Sequence, residues 1–235
     1  MISFDEFPDS WQTINPEICE GVPPPNVLLY GRVMMNNILI YLVSQSPRRR
    51  ELLLQVGIAH EVIAATIDET PQFDEAPEHY VARMALEKAC AGRKTLAVVD
   101  RPLLGADTAV VVDGEILGKP SDEADAHHML RCLSGRTHRV ISGVALVDGS
   151  REASRRCVSK VTFCDISEAA MRSYWQSGEP VGKAGGYAVQ GLGALFIERL
   201  EGSYSGVMGL PLFETAALMR DFGVQLPIFD TFESG

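Results

Sequence analysis

The sequence predicts an α/β domain with a mixed central β-sheet flanked by helices, on three observations. Apolar runs of strand length alternate along the chain with segments of helical period. Turn signals such as Asp113-Gly114 and Asp148-Gly149-Ser150 join neighbouring strand-like runs, and hairpins bring antiparallel pairing into the sheet. Neither a glycine-rich dinucleotide fingerprint nor a Walker loop follows the first strand-like run, so the two commonest nucleotide loops of parallel sheets are missing from it.

The elements follow in order. Residues 1–36 mix acids, three consecutive prolines (Pro23, Pro24, Pro25) and the pair Met34 and Met35, with neither strand nor helix period, and are expected to be an extension outside the core. The domain is expected over 37–225, with a tail over 226–235. Ile38-Leu39-Ile40-Tyr41-Leu42-Val43 is a buried-strand pattern. Ser46 before Pro47 signals a helix start, with a serine oxygen to cap amides and proline at the first helical position; the helix runs over 47–56 and Gly57 stops it. A strand over 60–65 leads to Asp68 and Glu69, and Val81, Met84, Ala85 and Ala89 set a helical period over 77–93. Strands are expected over 95–99 and 103–112, the second turning back into 115–117. Ala126, Met129, Leu130 and Leu133 share one side of a helix over 122–133, and strands over 137–147 and 155–165 form the next hairpin. A helix over 167–176, a glycine-rich loop over 182–193, a strand over 194–200 and a helix over 211–221 complete the domain.

A formal net charge of −10 argues against broad binding of nucleic-acid polymers, which takes a basic surface to release counterions. Any phosphate ligand must therefore meet a local basic cluster. Cys19, Cys90, Cys132, Cys157 and Cys164 are scattered without paired spacings, which fits reduced thiols and a cytoplasmic protein. No apolar stretch reaches membrane-spanning length, and Asp5, Glu6 and Asp9 precede any apolar run, unlike a secretory signal.

Five constellations carry chemical potential. Ser44-Gln45-Ser46-Pro47-Arg48-Arg49-Arg50-Glu51 sits at a strand-to-helix junction, where unpaired amides and the helix dipole favour an anion and guanidinium forks grip phosphate. The same run also suits a solvated helix start. Asp107 in Gly105-Ala106-Asp107-Thr108 places an acid in an apolar strand, where it needs a partner, a metal or a general-base task; a loop contact is the plainer alternative. Lys88, and Lys119 in Gly118-Lys119-Pro120, suit either surface positions or phosphate neutralisation. In Lys183-Ala184-Gly185-Gly186-Tyr187-Ala188-Val189-Gln190-Gly191 the glycines allow close approach of a ligand and the Gln190 amide suits a base edge, although a flexible turn has the same composition. The segment 202–211 suggests a tight connection that touches phosphate. The five histidines lack a metal-binding spacing, and no serine lies in a nucleophile elbow.

Together with Glu69, Glu87-Lys88-Ala89, Leu133-Ser134-Gly135 and Thr137-His138, these motifs occur in an order that resembles the Maf family, named for septum-formation inhibition and associated with nucleotide pyrophosphatase activity. The resemblance spans about residues 38–222. It implies an elongated, two-lobed fold like that of inosine triphosphatases with a cleft between lobes, a homodimer, and a divalent cation, Mg²⁺ or Mn²⁺. It makes Asp107 the catalytic base, sets Ser44, Arg48, Arg49, Lys88 and Lys119 along the polyphosphate, and gives the metal to Glu69 and Asp107. Arg48, Thr108 and Gln190 match the positions associated with substrate choice and look like the dTTP/UTP branch rather than the 7-methyl-GTP branch. A nucleotide-binding regulator of cell division is the alternative outside enzymes. Gln45 stands where a small residue is more usual, and Gly186 replaces a common alanine.

Overall fold

The computed structural model describes residues 38–226, so the expected extension over 1–36 lies outside the described residues, as does the tail beyond Leu226. Seven strands form one mixed sheet among these residues. They are β1 (Ile40–Val43), β2 (His60–Val62), β3 (Leu103–Val112), β4 (Glu115–Leu117), β5 (Thr137–Asp148), β6 (Arg151–Phe163) and β7 (Ile197–Glu201). Their order is β2-β1-β3-β5-β6-β7, with β4 paired to β3. The helices are α1 (Pro47–Gln55), α2 (Pro77–Thr95), α3 (Glu123–Leu133), α4 (Glu168–Gln176), α5 (Tyr204–Met208) and α6 (Leu212–Asp221). β1 pairs in parallel with β2 and β3, while the β3, β5, β6 and β7 neighbours are antiparallel, which makes the sheet mixed as the hairpin signals predict.

The pairing of β3 positions the site. One edge of β3 is paired with β5 from Leu103 to Val111. On its other edge β1 covers only Leu103 to Gly105, and β4 begins at Val110. Residues 106–109 thus lie in a gap of the sheet, with Asp107 and Thr108 at its middle. Strand alternation sends these two side chains to opposite faces. On the Thr108 face, Leu104 and Ala106 join a core with β1, α1 and α6, whereas Val110 and Val112 join a second core with α3 and α4. Thr108 falls at the boundary between the two.

On the Asp107 face, α2 lies unusually close to the sheet because two glycines admit it. A Cβ at Gly105 would stand 2.1 Å from the Ala85 carbonyl oxygen, and one at Gly143 would stand 2.6 Å from that of Val81. Any side chain there would push the helix outwards. Val81, Met84, Ala109, Val111 and Ile141 fill the rest of that interface.

Five local expectations change, the first being that β2 ends at Val62 rather than at 65. No strand forms over 95–99: α2 continues to Thr95, with Arg93 and Lys94 in its last turn complementing the helix dipole, and Leu96 and Val99 pack against Tyr41, Val43, Ile63 and Leu103. Their apolar character serves packing, not a ladder. β6 begins at Arg151 rather than 155, because Asp148 pairs directly with Arg151 across the turn and carries the register into a solvent-facing polar segment. Leu192–Phe196 forms a 3₁₀ turn, so β7 starts at Ile197. The segment expected as a tight connection contains α5, capped by Ser203, whose hydroxyl accepts the Gly206 amide.

Candidate active site

β1 ends at Val43 beside the β3 gap, and the chain turns through Ser44 into α1. The expected serine cap is relocated. Ser46 makes no side-chain capping bond; instead Ser44 Oγ accepts the Ser46 amide at 3.2 Å and Arg49 Nη1 at 3.2 Å. Arg48 and Arg49 are then aimed by the C-terminal end of α5: Arg48 Nε donates to the Met208 carbonyl at 3.1 Å and Arg49 Nε to the Gly209 carbonyl at 2.8 Å. Carbonyls at a helix C-terminus carry partial negative charge and suit cations. Burial holds both guanidinium groups below their ordinary pKa; for Arg49 the nearby Arg48 adds to this, while Asp107 and Glu69 oppose it. Arg50, the third of the run, is exposed.

Across the gap, the Lys88 ammonium lies 2.7 Å from Asp107 Oδ1 and 2.7 Å from Glu69 Oε1. The close approach of α2 to β3 makes this contact possible, since Lys88 is less than one turn beyond Ala85. Glu69 is brought in by its loop: the Tyr80 hydroxyl donates to the Glu69 carbonyl at 2.9 Å, and Arg83 Nη2 donates to the Thr70 carbonyl at 3.2 Å. Arg83 is itself gripped at both ends of its fork by Glu75, at 2.6 Å each. Burial raises the Glu69 carboxyl, but the Lys88 hydrogen bond and the charges of Lys88, Lys119 and Arg49 outweigh it and leave the group below its ordinary pKa. Burial and the neighbouring Asp107 and Glu69 charges push the Tyr80 hydroxyl to about 12, so it remains a donor.

Thr108 is held in a hydroxyl chain. Ser142 Oγ gives its proton to the Gly206 carbonyl at 2.7 Å, so Thr108 Oγ1, 2.8 Å from Ser142 Oγ, is the donor in that pair. Lys119 follows β4, and the next loop is tied to it by the Gly185 amide, which donates to the Gly118 carbonyl at 2.9 Å. Glu179 staples the far side of the glycine-rich loop, accepting the Tyr174 hydroxyl at 2.7 Å and the amides of Leu192 and Gly193 at 2.9 Å each.

These groups surround a cavity of about 1050 Å³. Ser44, Arg48 and Arg49 line it from one side, Glu69, Lys88, Asp107 and Thr108 from the centre, and Lys119, Lys183 and Tyr187 from the other. Gln190 is exposed and is not among the lining residues. Sequence reasoning missed Tyr80, Arg83, Ser142, Glu179 and the Met208 and Gly209 carbonyls; a backbone carbonyl leaves no residue-type signal, and the others act through contacts that no helical or strand period predicts. No cluster of three or more His, Cys, Asp or Glu side chains suited to a metal occurs among the described residues. Asp107 and Glu69 converge on one cation, and that cation is the Lys88 ammonium. Two carboxylates completed by water and phosphate oxygens fit Mg²⁺ or Mn²⁺.

The family model described as Maf-like protein matches residues 39–222, from β1 to the end of α6. The chain belongs to the Maf family. All the cavity-lining residues named above fall within the Maf match. A dTTP/UTP pyrophosphatase of Alkalilimnicola ehrlichii is 53% identical over 189 residues, covering 79% of this chain and 93% of that protein. One of Aromatoleum aromaticum is 51% identical over 80% of this chain and 97% of its own length, and one of Chromobacterium violaceum is 48% identical over 82% and 98%. Among solved structures, the Staphylococcus aureus Ham1 protein aligns over 54% of this chain and 72% of its own with a TM-score of 0.38 and 14% identity. No helix among the described residues of this Maf chain is long and apolar enough to cross a membrane.

Proposed function

We propose that this Maf chain hydrolyses dTTP or UTP between the α and β phosphates, giving the nucleoside monophosphate and pyrophosphate. The observation that carries the reading is the convergence of Asp107 with Arg48, Arg49, Lys88 and Lys119 on one cavity of about 1050 Å³, in a chain about half identical to dTTP/UTP pyrophosphatases. An acid set among four cations suits a polyphosphate attacked by water: the cations neutralise charge on the phosphates, and the acid takes the proton.

Asp107 is assigned as general base. Lys88 holds Oδ1, so Oδ2 is the oxygen that accepts a proton from the attacking water. Arg48 and Arg49 spend Nε on backbone carbonyls and Arg49 also spends Nη1 on Ser44, which leaves the Arg48 terminal nitrogens and Arg49 Nη2 for phosphate oxygens. Lys119 adds a point charge on a backbone restrained by Pro120. A divalent cation, which Asp107 and Glu69 would hold, supplies charge stabilisation on the phosphate oxygens. Arg48, Thr108 and Gln190 are assigned to substrate choice. Thr108 supports that reading through its place in the cavity lining, and Gln190 through its place on the loop anchored by Glu179. A homodimer in the cytoplasm completes the proposal; the four described cysteines are unpaired, which suits a reducing compartment.

Mass analysis of products from a panel of nucleoside triphosphates, with and without Mg²⁺, tests the function. Monophosphate and pyrophosphate are expected from dTTP and UTP; nucleoside diphosphate and orthophosphate, or exclusive use of 7-methyl-GTP, would refute it. Asp107→Asn is expected to lower kcat by roughly 100-fold or more with little change in KM, as measured by steady-state pyrophosphate release.

A further inference from the structure

One ammonium in the cavity serves two carboxylates. Lys88 Nζ is 2.7 Å from both Asp107 Oδ1 and Glu69 Oε1, so those oxygens are at most twice that distance apart. The arrangement is held from three directions. Gly105 lets α2 bring Lys88 down on β3, the strand fixes Asp107, and Tyr80 with Arg83 fixes the loop that carries Glu69. Exposure differs across the trio: the Lys88 and Asp107 side chains are 14% and 12% exposed, whereas that of Glu69 is 47% exposed. The inner carboxylate is therefore the one that most needs a counter-charge, because water reaches it least.

We infer that the Lys88 ammonium and a divalent cation take the same position between Glu69 and Asp107, so the ion is admitted only together with a nucleotide and its arrival transfers Lys88 to the phosphates. The inference rests on the assignment of the metal to these two carboxylates and goes beyond it. A hard cation binds carboxylate oxygens at about 2.1 Å, so an ion bridging this pair would lie in the space that the ammonium fills. A divalent and a monovalent cation about 3 Å apart in a poorly solvated site repel strongly. Two carboxylates also give only part of the ligand set that Mg²⁺ or Mn²⁺ takes, so without phosphate oxygens the ion lacks the coordination to displace the lysine. With them, the ion is completed and the ammonium gains a new anionic partner. When the product leaves with the ion, the lysine returns, and Asp107 is never without a positive neighbour.

Mn²⁺ binding, followed by the electron paramagnetic resonance of the free aqua ion, tests this without turnover. Wild-type protein alone is expected to bind Mn²⁺ at least tenfold more weakly than Lys88→Met or Lys88→Gln, and Asp107→Asn added to either variant is expected to abolish the gain. With α,β-methylene-dUTP, and the analogue alone as blank, the wild type is expected to retain one Mn²⁺ per chain. Equal or weaker Mn²⁺ binding by the folded lysine variants would overturn the inference. So would tight Mn²⁺ binding by the wild type without nucleotide, an arm that decides even if the variants do not fold. Should dTTP be hydrolysed to dTMP and pyrophosphate while these binding results fail, only the shared position is lost; if no hydrolysis is found, the functional reading is what fails.

Discussion

Asp107 has one oxygen held by Lys88, and the proposed mechanism gives the other the proton of the attacking water. Gln190 is the opposite case, an exposed amide on an anchored loop and not among the residues that line the cavity. If it reads a pyrimidine edge, replacing its donor by an acceptor leaves the base with a clash of lone pairs, which costs more than losing a neutral contact. Gln190→Glu is expected to lower kcat/KM for dTTP and UTP by about 10-fold or more while sparing or raising that for 7-methyl-GTP. A competition assay with the three nucleotides checks this, and an unchanged preference would remove Gln190 from substrate choice. The chemical types at these positions were legible in the sequence, because an acid in an apolar strand and an amide among glycines stand out locally. That Lys88 would be tied to two acids was not, since it depends on neighbours 19 residues away on either side.

Two elements set the geometry that those residues use. The approach of α2 to the sheet depends on Gly105, where an added Cβ would stand 2.1 Å from the Ala85 oxygen and 2.8 Å from the Ala89 nitrogen, both backbone atoms. Gly105→Ala is expected to cost about 1–3 kcal/mol of stability as overpacking, read by urea denaturation, and to lower kcat by pushing the helix that carries Lys88 away from the cavity. The glycine-rich loop depends on Glu179 in the same way, through one hydroxyl and two amides. Glu179→Ala is expected to raise KM for dTTP several-fold and to destabilise by about 2 kcal/mol, since the buried Tyr174 hydroxyl loses a charged partner. Steady-state kinetics beside thermal denaturation separate the two effects. Helix and strand types were legible through period, yet 95–99 misled because Leu96 and Val99 look like strand residues while serving only as packing, and α5 was hidden by its short, polar, glycine-containing sequence.

Across the whole molecule, pH stability follows from groups that burial or an ion pair holds away from their ordinary pKa. His138 is 2% exposed, its Nε2 is 2.8 Å from the Tyr187 hydroxyl, its Nδ1 has no hydrogen-bond partner among the described residues, and burial lowers its pKa to about 4. The unfolded chain then binds an extra proton between about pH 6.5 and 4, so stability is full above that window and falls as pH drops through it, by on the order of 3 kcal/mol. Glu75 adds a lower step: the Arg83 hydrogen bonds hold it at about 2, and its stabilisation is lost as pH falls from its ordinary value towards that figure. Denaturation midpoints between pH 7 and 4 are expected to decline in the wild type and to flatten in His138→Gln. What the sequence determined by itself was local structure, the alternation of strand and helix and the hairpins, set by propensity, period and spacing over a few residues, and, through the resemblance, the chemical types and order of the Maf motifs. The tertiary structure alone decided the gap in the β3 edge, the backbone carbonyls that aim Arg48 and Arg49 from 160 residues away, and the pairing of Lys88 with two acids. Those are contacts between segments with no periodic relation to each other, so only the folded chain brings them within hydrogen-bonding distance.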